Sequence, residues 1–172
     1  AAGRGRRMGL LTNTLPKCLL QINKVTILER LINQLTKKGI NSITVVVGYQ
    51  KNKIFETIEL KHSNIEFLVN DRYDEDVNIL SLVLALKKDS YPFYLFEADC
   101  IFEDKCFDSI VNTSFKDKSV WFSKGMFTKN QYGGIIKAND NGEVVDIKIV
   151  EKYEEDYKDY YKMIGLLKVG EN

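Results

Sequence analysis

The run Thr26–Gly48, TILERLINQLTKKGINSITVVVG, decides the fold class. Its first half sets Ile27, Leu28, Leu31, Ile32 and Leu35 on one stripe, the apolar face of an amphipathic helix. Thr26 can cap that helix, with Glu29 three residues on completing a capping box. Gly39 stands where a left-handed residue would end it. The second half, Ser42–Gly48, turns continuously apolar and β-branched, which suits a strand covered on both faces. A capped helix leading into a buried strand is one step of a βαβ rhythm.

Working outward, the rhythm repeats. Asn52–Leu60 reads as a short helix, Ile65–Val69 as a strand with polar ends, and Asn78–Lys88 as a largely buried helix. Tyr91–Ala98 is an aromatic-rich strand that runs straight into Asp99. Such alternation predicts an α/β fold, a mostly parallel sheet with helices on both faces. Beyond about Ile110 the pattern changes to short strands at Val120–Ser123, Gly134–Ala138 and Val144–Val150. The last two are joined by Asn139-Asp140-Asn141-Gly142, a hairpin turn signal. The charged, tyrosine-rich Glu151–Lys162 reads as a surface helix or a lid-like excursion. The expectation is one domain over residues 1–172, with a small antiparallel extension. The opening AAGRGRRMG is a glycine-rich loop with no strand before it, and the chain stops just after the strand-like Leu166–Val169. Both ends are therefore expected to be cut.

Composition narrows the partners. With 25 basic and 24 acidic residues in 172, the net charge is +1. That argues against a protein held to nucleic acid or membrane mainly by electrostatics, local patches aside. No apolar run approaches the ~20 residues of a membrane span. Three cysteines (Cys18, Cys100 and Cys106), an odd number with no CxxC pair, suit a reducing compartment, and the expected location is the cytoplasm.

In open α/β sheets, ligands bind in the loops at the carboxyl ends of strands. The first such loop carries Gly3 and Gly5, which permit a close backbone approach and a nest of N–H groups for phosphate oxygens. Arg7 and Lys17 add positive charge. Taken alone, the loop is equally a solvated basic segment: it is neither a Walker A loop nor a dinucleotide fingerprint. Asp99, at the carboxyl end of its strand, reads on the residues alone as a helix or turn cap. The single histidine, His62, lies between polar neighbours and reads as a surface residue. Asp71, Asp74, Glu75 and Asp76 form either a solvated approach to a helix N-terminus or a face toward a cationic head group. In the second case Tyr73, Tyr153, Tyr157, Tyr160 and Tyr161 can add cation–π contacts.

The whole string is more specific than its parts. AAGxGxR, then Pro16-Lys17, then the ordered landmarks VVVGY, NILSLVLAL and EADCIF resemble nucleotidyltransferases that activate phosphorylated small molecules. Within that group, PKCLLQIN followed by TILERLI, and VNDRYDEDVNILSLVLAL, resemble the phosphocholine and 2-aminoethylphosphonate cytidylyltransferases. The resemblance covers nearly all of residues 1–105 and weakens after. It implies a Rossmann-like (GT-A-like) fold and a Mg²⁺-dependent transfer of a nucleoside monophosphate, with CTP the favoured donor. The acceptor would be a phosphorylated small molecule such as phosphocholine or 2-aminoethylphosphonate, and pyrophosphate would leave. It further implies that Ala2 and Gly3 lie under the nucleotide, that Gly5 and Arg7 hold the β- and γ-phosphates, and that Lys17 neutralises the α-phosphate. Asn78 and Ser81 would contact the base, and Asp99 would bind Mg²⁺. The group expects a second metal-binding aspartate at a later strand end. Asp140 and Asp146 belong to the hairpin, so that ligand is expected beyond Asn172. No nucleic-acid or membrane partner is implied, and a homodimer is compatible with the sequence. Two alternatives stay open: a sugar-1-phosphate nucleotidylyltransferase using dTTP or UTP, and a nucleotide-binding regulatory domain without catalysis.

Overall fold

A computed structural model describes residues 1–3, 5, 9, 12–62, 65–75, 78–87, 92–111 and 117–171. The chain divides into two compact units, Ala1–Ser90 with Glu97–Ser114, and Tyr91–Phe96 with Phe115–Asn172.

The first unit begins its regular structure with a two-residue hairpin, β1 (Gln21–Ile22) against β2 (Val25–Thr26). Asn23 and Lys24 between them take φ of 52° and 65°, the left-handed pair that a tight two-residue hairpin loop requires. Thr26 then caps α1 (Ile27–Lys37), accepting a hydrogen bond from Glu29 N at 3.1 Å. The Glu29 carboxylate takes Lys61 Nζ at 2.9 and 3.0 Å. The helix ends as the sequence predicts. Gly39, at φ 81°, donates to Thr36 O, and Ile40 donates to Leu35 O, the paired bonds of a Schellman motif. All five residues of the predicted stripe are buried.

The strand β3 (Ile43–Val47) leads through α2 (Lys51–Ile58) to β4 (Ile65–Val69), which pairs parallel with it from Ile43↔Ile65 to Val47↔Val69. Two further helices, α3 (Asn78–Leu86) and α4 (Asp104–Val111), complete the unit. Its core joins Leu28 and Ile32 of α1, Val45 and Val47 of β3, and Ile54 and Ile58 of α2 with Cys18 and Leu19. Each fully buried aliphatic side chain here contributes about 1.5–3 kcal/mol. This core is what fixes the loops at the strand ends.

The second unit is a five-stranded antiparallel sheet. Its members are β5 (Phe93–Phe96), β6 (Val120–Met126), β7 (Gly133–Ala138), β8 (Val144–Val150) and β9 (Tyr161–Val169). β9 is central: β6 runs along one edge, while β5 and β7 share the other. β8 pairs with β7 and is the outer strand. The hairpin turn between them is the predicted one. Asn139 N donates to Glu143 O at 2.9 Å, and Gly142 takes φ 77°.

Glu151–Lys162 departs from expectation: it is neither a surface helix nor a lid. It makes one short 3₁₀ turn at Glu155–Tyr157 and enters β9 at Tyr161. The reason lies in three of its tyrosines, Tyr153, Tyr157 and Tyr160, which belong to a core cluster. Tyr160 is buried with Phe127 and Ile135, and Tyr153 and Tyr157 pack against that cluster. The α/β class with a parallel pair and an antiparallel portion stands. Among the described residues, no helix is long and apolar enough to cross a membrane.

Candidate active site

Lys17 owes its position to its neighbours. Pro16, fully buried, leads into the 3₁₀ turn Lys17–Leu19, and Leu19 N donates to Pro16 O at 2.9 Å. Cys18 and Leu19 point into the core and leave the Lys17 side chain about one-third exposed. Burial pushes the Cys18 thiol up to about 11, so it stays neutral and serves as packing. Lys17 Nζ lies 2.5 Å from Asp99 Oδ2, joining two loops 82 residues apart in the chain.

The described residues before Lys17 are tied to their surroundings by glycine geometry and hydrogen bonds. Gly5 takes φ 67°, and a Cβ there would lie 3.4 Å from both Lys17 Cβ and Thr12 Cγ2, so glycine suits this position. Thr12 Oγ1 donates to Gly5 O at 3.0 Å. From α2 and the loop before it, the Tyr49 hydroxyl donates to Asn13 O at 2.5 Å and Lys53 Nζ donates to Thr14 O. Such prior anchoring matters because a site that binds developing charge works best when its dipoles need not reorganise.

Asp99 lies within a short turn, in which Cys100 N donates to Glu97 O at 3.2 Å. α4 begins only at Asp104, and the Asp99 carboxylate is engaged with Lys17. The side-chain donor atoms of Glu97, Asp99 and Cys100 lie within 4.8 Å of one another. Two carboxylates suit a hard divalent cation such as Mg²⁺, which takes one or two of them and fills its shell with phosphate oxygens and water. The soft thiol is not needed for that purpose. The donor set present therefore fits the ion that the sequence implies.

At the ends of β3 and β4 lies a cleft of about 250 Å³, with Gly48, Gln50, Lys51, Asn70 and Tyr73 among its walls. Ala2 borders the same strand end: it is buried, and its carbonyl accepts from Tyr49 N at 3.0 Å. A Cβ on Gly48 would sit 2.5 Å from Tyr73 Cβ and 3.0 Å from Ala2 O, so only glycine fits. Asn70 is buried, with its amide nitrogen donating to Ser81 Oγ at 3.0 Å and its amide oxygen accepting from Arg72 N at 3.0 Å.

The structure thus brings Gly5, Lys17 and Asp99 together, and Ser81 joins Asn70 in a second group. Gly3 is exposed, with open space where a Cβ would be, and Asn78 opens α3. Arg7 lies outside the described residues. Of the acidic run, Glu75 takes Arg72 at 2.6 and 2.7 Å, Asp71 lies 3.6 Å from Lys51, and Asp76 is outside the described residues. The faces of Tyr157 and Tyr160 are already served by the chain's own cations. Lys148 Nζ lies 5.3 Å from the Tyr160 ring centre and 5.6 Å from that of Tyr157, and Lys137 Nζ lies 5.8 Å from Tyr160. His62 is half-buried, with its Nε2 shielded and without a hydrogen-bond partner among the described residues. Sequence reasoning missed Glu97, Asn70 and Gly48. The signal for Glu97 was its place two residues before Asp99 at the end of an extended run, which can turn both carboxylates the same way.

A 2-aminoethylphosphonate cytidylyltransferase of Lancefieldella rimae is 30% identical over 96% of this chain and 63% of its own length. A choline-phosphate cytidylyltransferase of Streptococcus pneumoniae is 36% identical over 58% of this chain and 42% of its own length. The chain therefore spans less than two-thirds of these relatives. Among solved structures, the CTP:phosphocholine cytidylyltransferase of Streptococcus pneumoniae superposes with a TM-score of 0.74 at 26% identity, over 99% of this chain and 68% of that one. Residues 1–119, which carry the glycine loop, Lys17, the Asn70–Ser81 pair and Asp99, match the MobA-like NTP transferase domain, and the chain belongs to that family.

Proposed function

We propose that this protein is a nucleotidyltransferase that moves CMP from CTP to a phosphorylated or phosphonylated amine, of the phosphocholine or 2-aminoethylphosphonate kind. The observation that carries this reading is the Lys17–Asp99 pair, at 2.5 Å, set between two loops at strand ends beside a second carboxylate, Glu97. An acceptor oxygen attacks the α-phosphorus, a new P–O bond forms, and the bond to the β-phosphate breaks to release pyrophosphate. The acceptor is already an anion, so the reaction asks for positioning and charge neutralisation rather than a general base. That agrees with a chain whose single histidine is a half-buried residue shielded at Nε2.

Lys17 neutralises charge gathering on the α-phosphate, as an ammonium held at a fixed point by the buried turn behind it. Gly5, and Arg7 with it, receive the β- and γ-phosphates, and Ala2 with Gly3 lie under the nucleoside. Asn78, and Ser81 through Asn70, border the base. Asp99 and Glu97 are the residues that hold Mg²⁺, which when bound offsets the negative charge of the triphosphate. The three free cysteines support a reducing, cytoplasmic setting.

The test is pyrophosphate release measured with each of the four ribonucleoside triphosphates and dTTP, against phosphocholine, 2-aminoethylphosphonate and glucose 1-phosphate. Turnover with CTP and an amine-bearing acceptor is the expected result. Turnover only with UTP or dTTP and the sugar phosphate would replace the substrate assignment. Binding of nucleotide with no turnover in any pair would overturn the enzyme reading.

A further inference from the structure

We propose that β8 is the contact by which two copies of this chain pair, antiparallel, about a two-fold axis through Ile147. The inference concerns the second unit and stands apart from the reaction proposed above.

β8 is an outer strand whose far edge pairs with nothing among the described residues. It is also unusually apolar for such a place. Val145, Ile147 and Ile149 are 59%, 50% and 88% exposed. An edge strand with free backbone groups and exposed aliphatic side chains is a pairing surface unless something covers it. β8 contains no proline to block its edge. The apolar row at Ile147 continues inward, since Ile147 lies opposite Ile136, Ile136 opposite Tyr161 and Tyr161 opposite Met126. Both Tyr161 and Met126 are exposed.

What covers the edge is written in the strand itself. Val144-Val145-Asp146-Ile147-Lys148-Ile149-Val150 is symmetric about Ile147 in apolar pattern and inverted about it in charge. Laid antiparallel on a second copy with Ile147 on the axis, it sets Asp146 opposite the partner's Lys148 and Lys148 opposite the partner's Asp146. Val145 then faces the partner's Ile149. The alternatives are worse. A slip of two residues sets Asp146 against Asp146 or Lys148 against Lys148, a parallel pairing places like charges side by side, and a slip of one turns the apolar row to the wrong face. The strand thus selects one partner and one register, and the partner is itself.

Asp146 and Lys148 can serve this contact without leaving their present one. They lie 3.2 Å apart, with side chains 38% and 45% exposed, and the Tyr160 hydroxyl donates to Asp146 from within the sheet. The ladder to β7 slips by one residue at Val145, so the regular run is Asp146–Val150, which contains the whole charged triplet.

Analytical ultracentrifugation of the full chain over a wide concentration range is the test. A reversible monomer–dimer equilibrium is expected. Asp146→Lys alone and Lys148→Asp alone should each weaken it at least about tenfold, because both cross-strand pairs then oppose like charges. The double variant D146K/K148D should restore it. Ile147→Lys touches no partner of Tyr160 and should abolish the dimer while leaving the monomer's circular dichroism unchanged. A chain monomeric at every concentration overturns the proposal. So does a dimer indifferent to Ile147→Lys, or a double variant no tighter than the singles.

Discussion

Lys17 and Lys148 are both paired with an aspartate, and the surroundings of the two pairs separate their uses. Lys17 and Asp99 come from loops 82 residues apart, each about one-third exposed, with the Glu97 carboxylate near Asp99. Lys148 and Asp146 are two residues apart on one strand, and Tyr160 closes over both, with its hydroxyl on Asp146 and its ring under Lys148. On the proposed reading the first pair meets the triphosphate, whereas the second already sits against Tyr160 of its own sheet. The same two residue types thus stand in different company, beside a second carboxylate in one unit and against an aromatic ring in the other, and the company separates the uses proposed for them.

Lys17→Ala and Asp99→Ala should each lower kcat for pyrophosphate release by at least about 10²–10³-fold, the scale of losing one charge-stabilising contact. Thermal unfolding of either variant should stay close to that of the wild type, since ion pairs this exposed contribute little to stability. Next in size, Ile54→Ala should destabilise the first unit by about 2–5 kcal/mol, read as a lower denaturant midpoint, because Ile54 is fully buried in the core that carries both site loops. Smaller again, Tyr160→Phe should cost about 0.5–1.5 kcal/mol by removing the hydroxyl from Asp146 while turnover persists. The opposite pattern, in which Tyr160→Phe loses turnover and Lys17→Ala loses only stability, would invert the assignment of the two units.

The smallest effect is a pH dependence. The Tyr160 hydroxyl, with Lys148 second, holds the Asp146 carboxyl below its ordinary value. A depressed carboxyl contributes stability above its unfolded pKa and loses it as pH falls through the folded one. The melting difference between wild type and Tyr160→Phe should therefore be constant near neutrality and shrink below about pH 4. A difference that grows on acidification would contradict the hydrogen bond's role.

Much of this was legible in the chain. α1 declared itself because stripe, cap and terminal glycine all agree, and Asn139–Gly142 announced the β7–β8 turn for the same reason. Lys17 and Asp99 were nameable from the order of motifs, and the structure adds that they touch. Glu97 and Asn70 were harder. Neither residue type is distinctive, and their surroundings come from segments far away in sequence, such as Ser81 for Asn70. Glu151–Lys162 misled for a physical reason. Charged residues alternating with tyrosines look like an amphipathic surface helix, yet a tyrosine buries its ring when an aromatic partner waits, and Phe127 supplies one at 5.6 Å from Tyr153.

On the proposed reading, an acceptor oxygen attacks the α-phosphorus of CTP at the Lys17–Asp99 site. The most direct measurement is phosphorus NMR of the reaction with CTP, Mg²⁺ and 2-aminoethylphosphonate or phosphocholine. A new signal for CMP joined to the acceptor is expected, with inorganic pyrophosphate in equal amount and neither product formed by Lys17→Ala. Formation of CDP with inorganic phosphate, of free CMP without the joined product, or of the same products at the same rate by Lys17→Ala would contradict it.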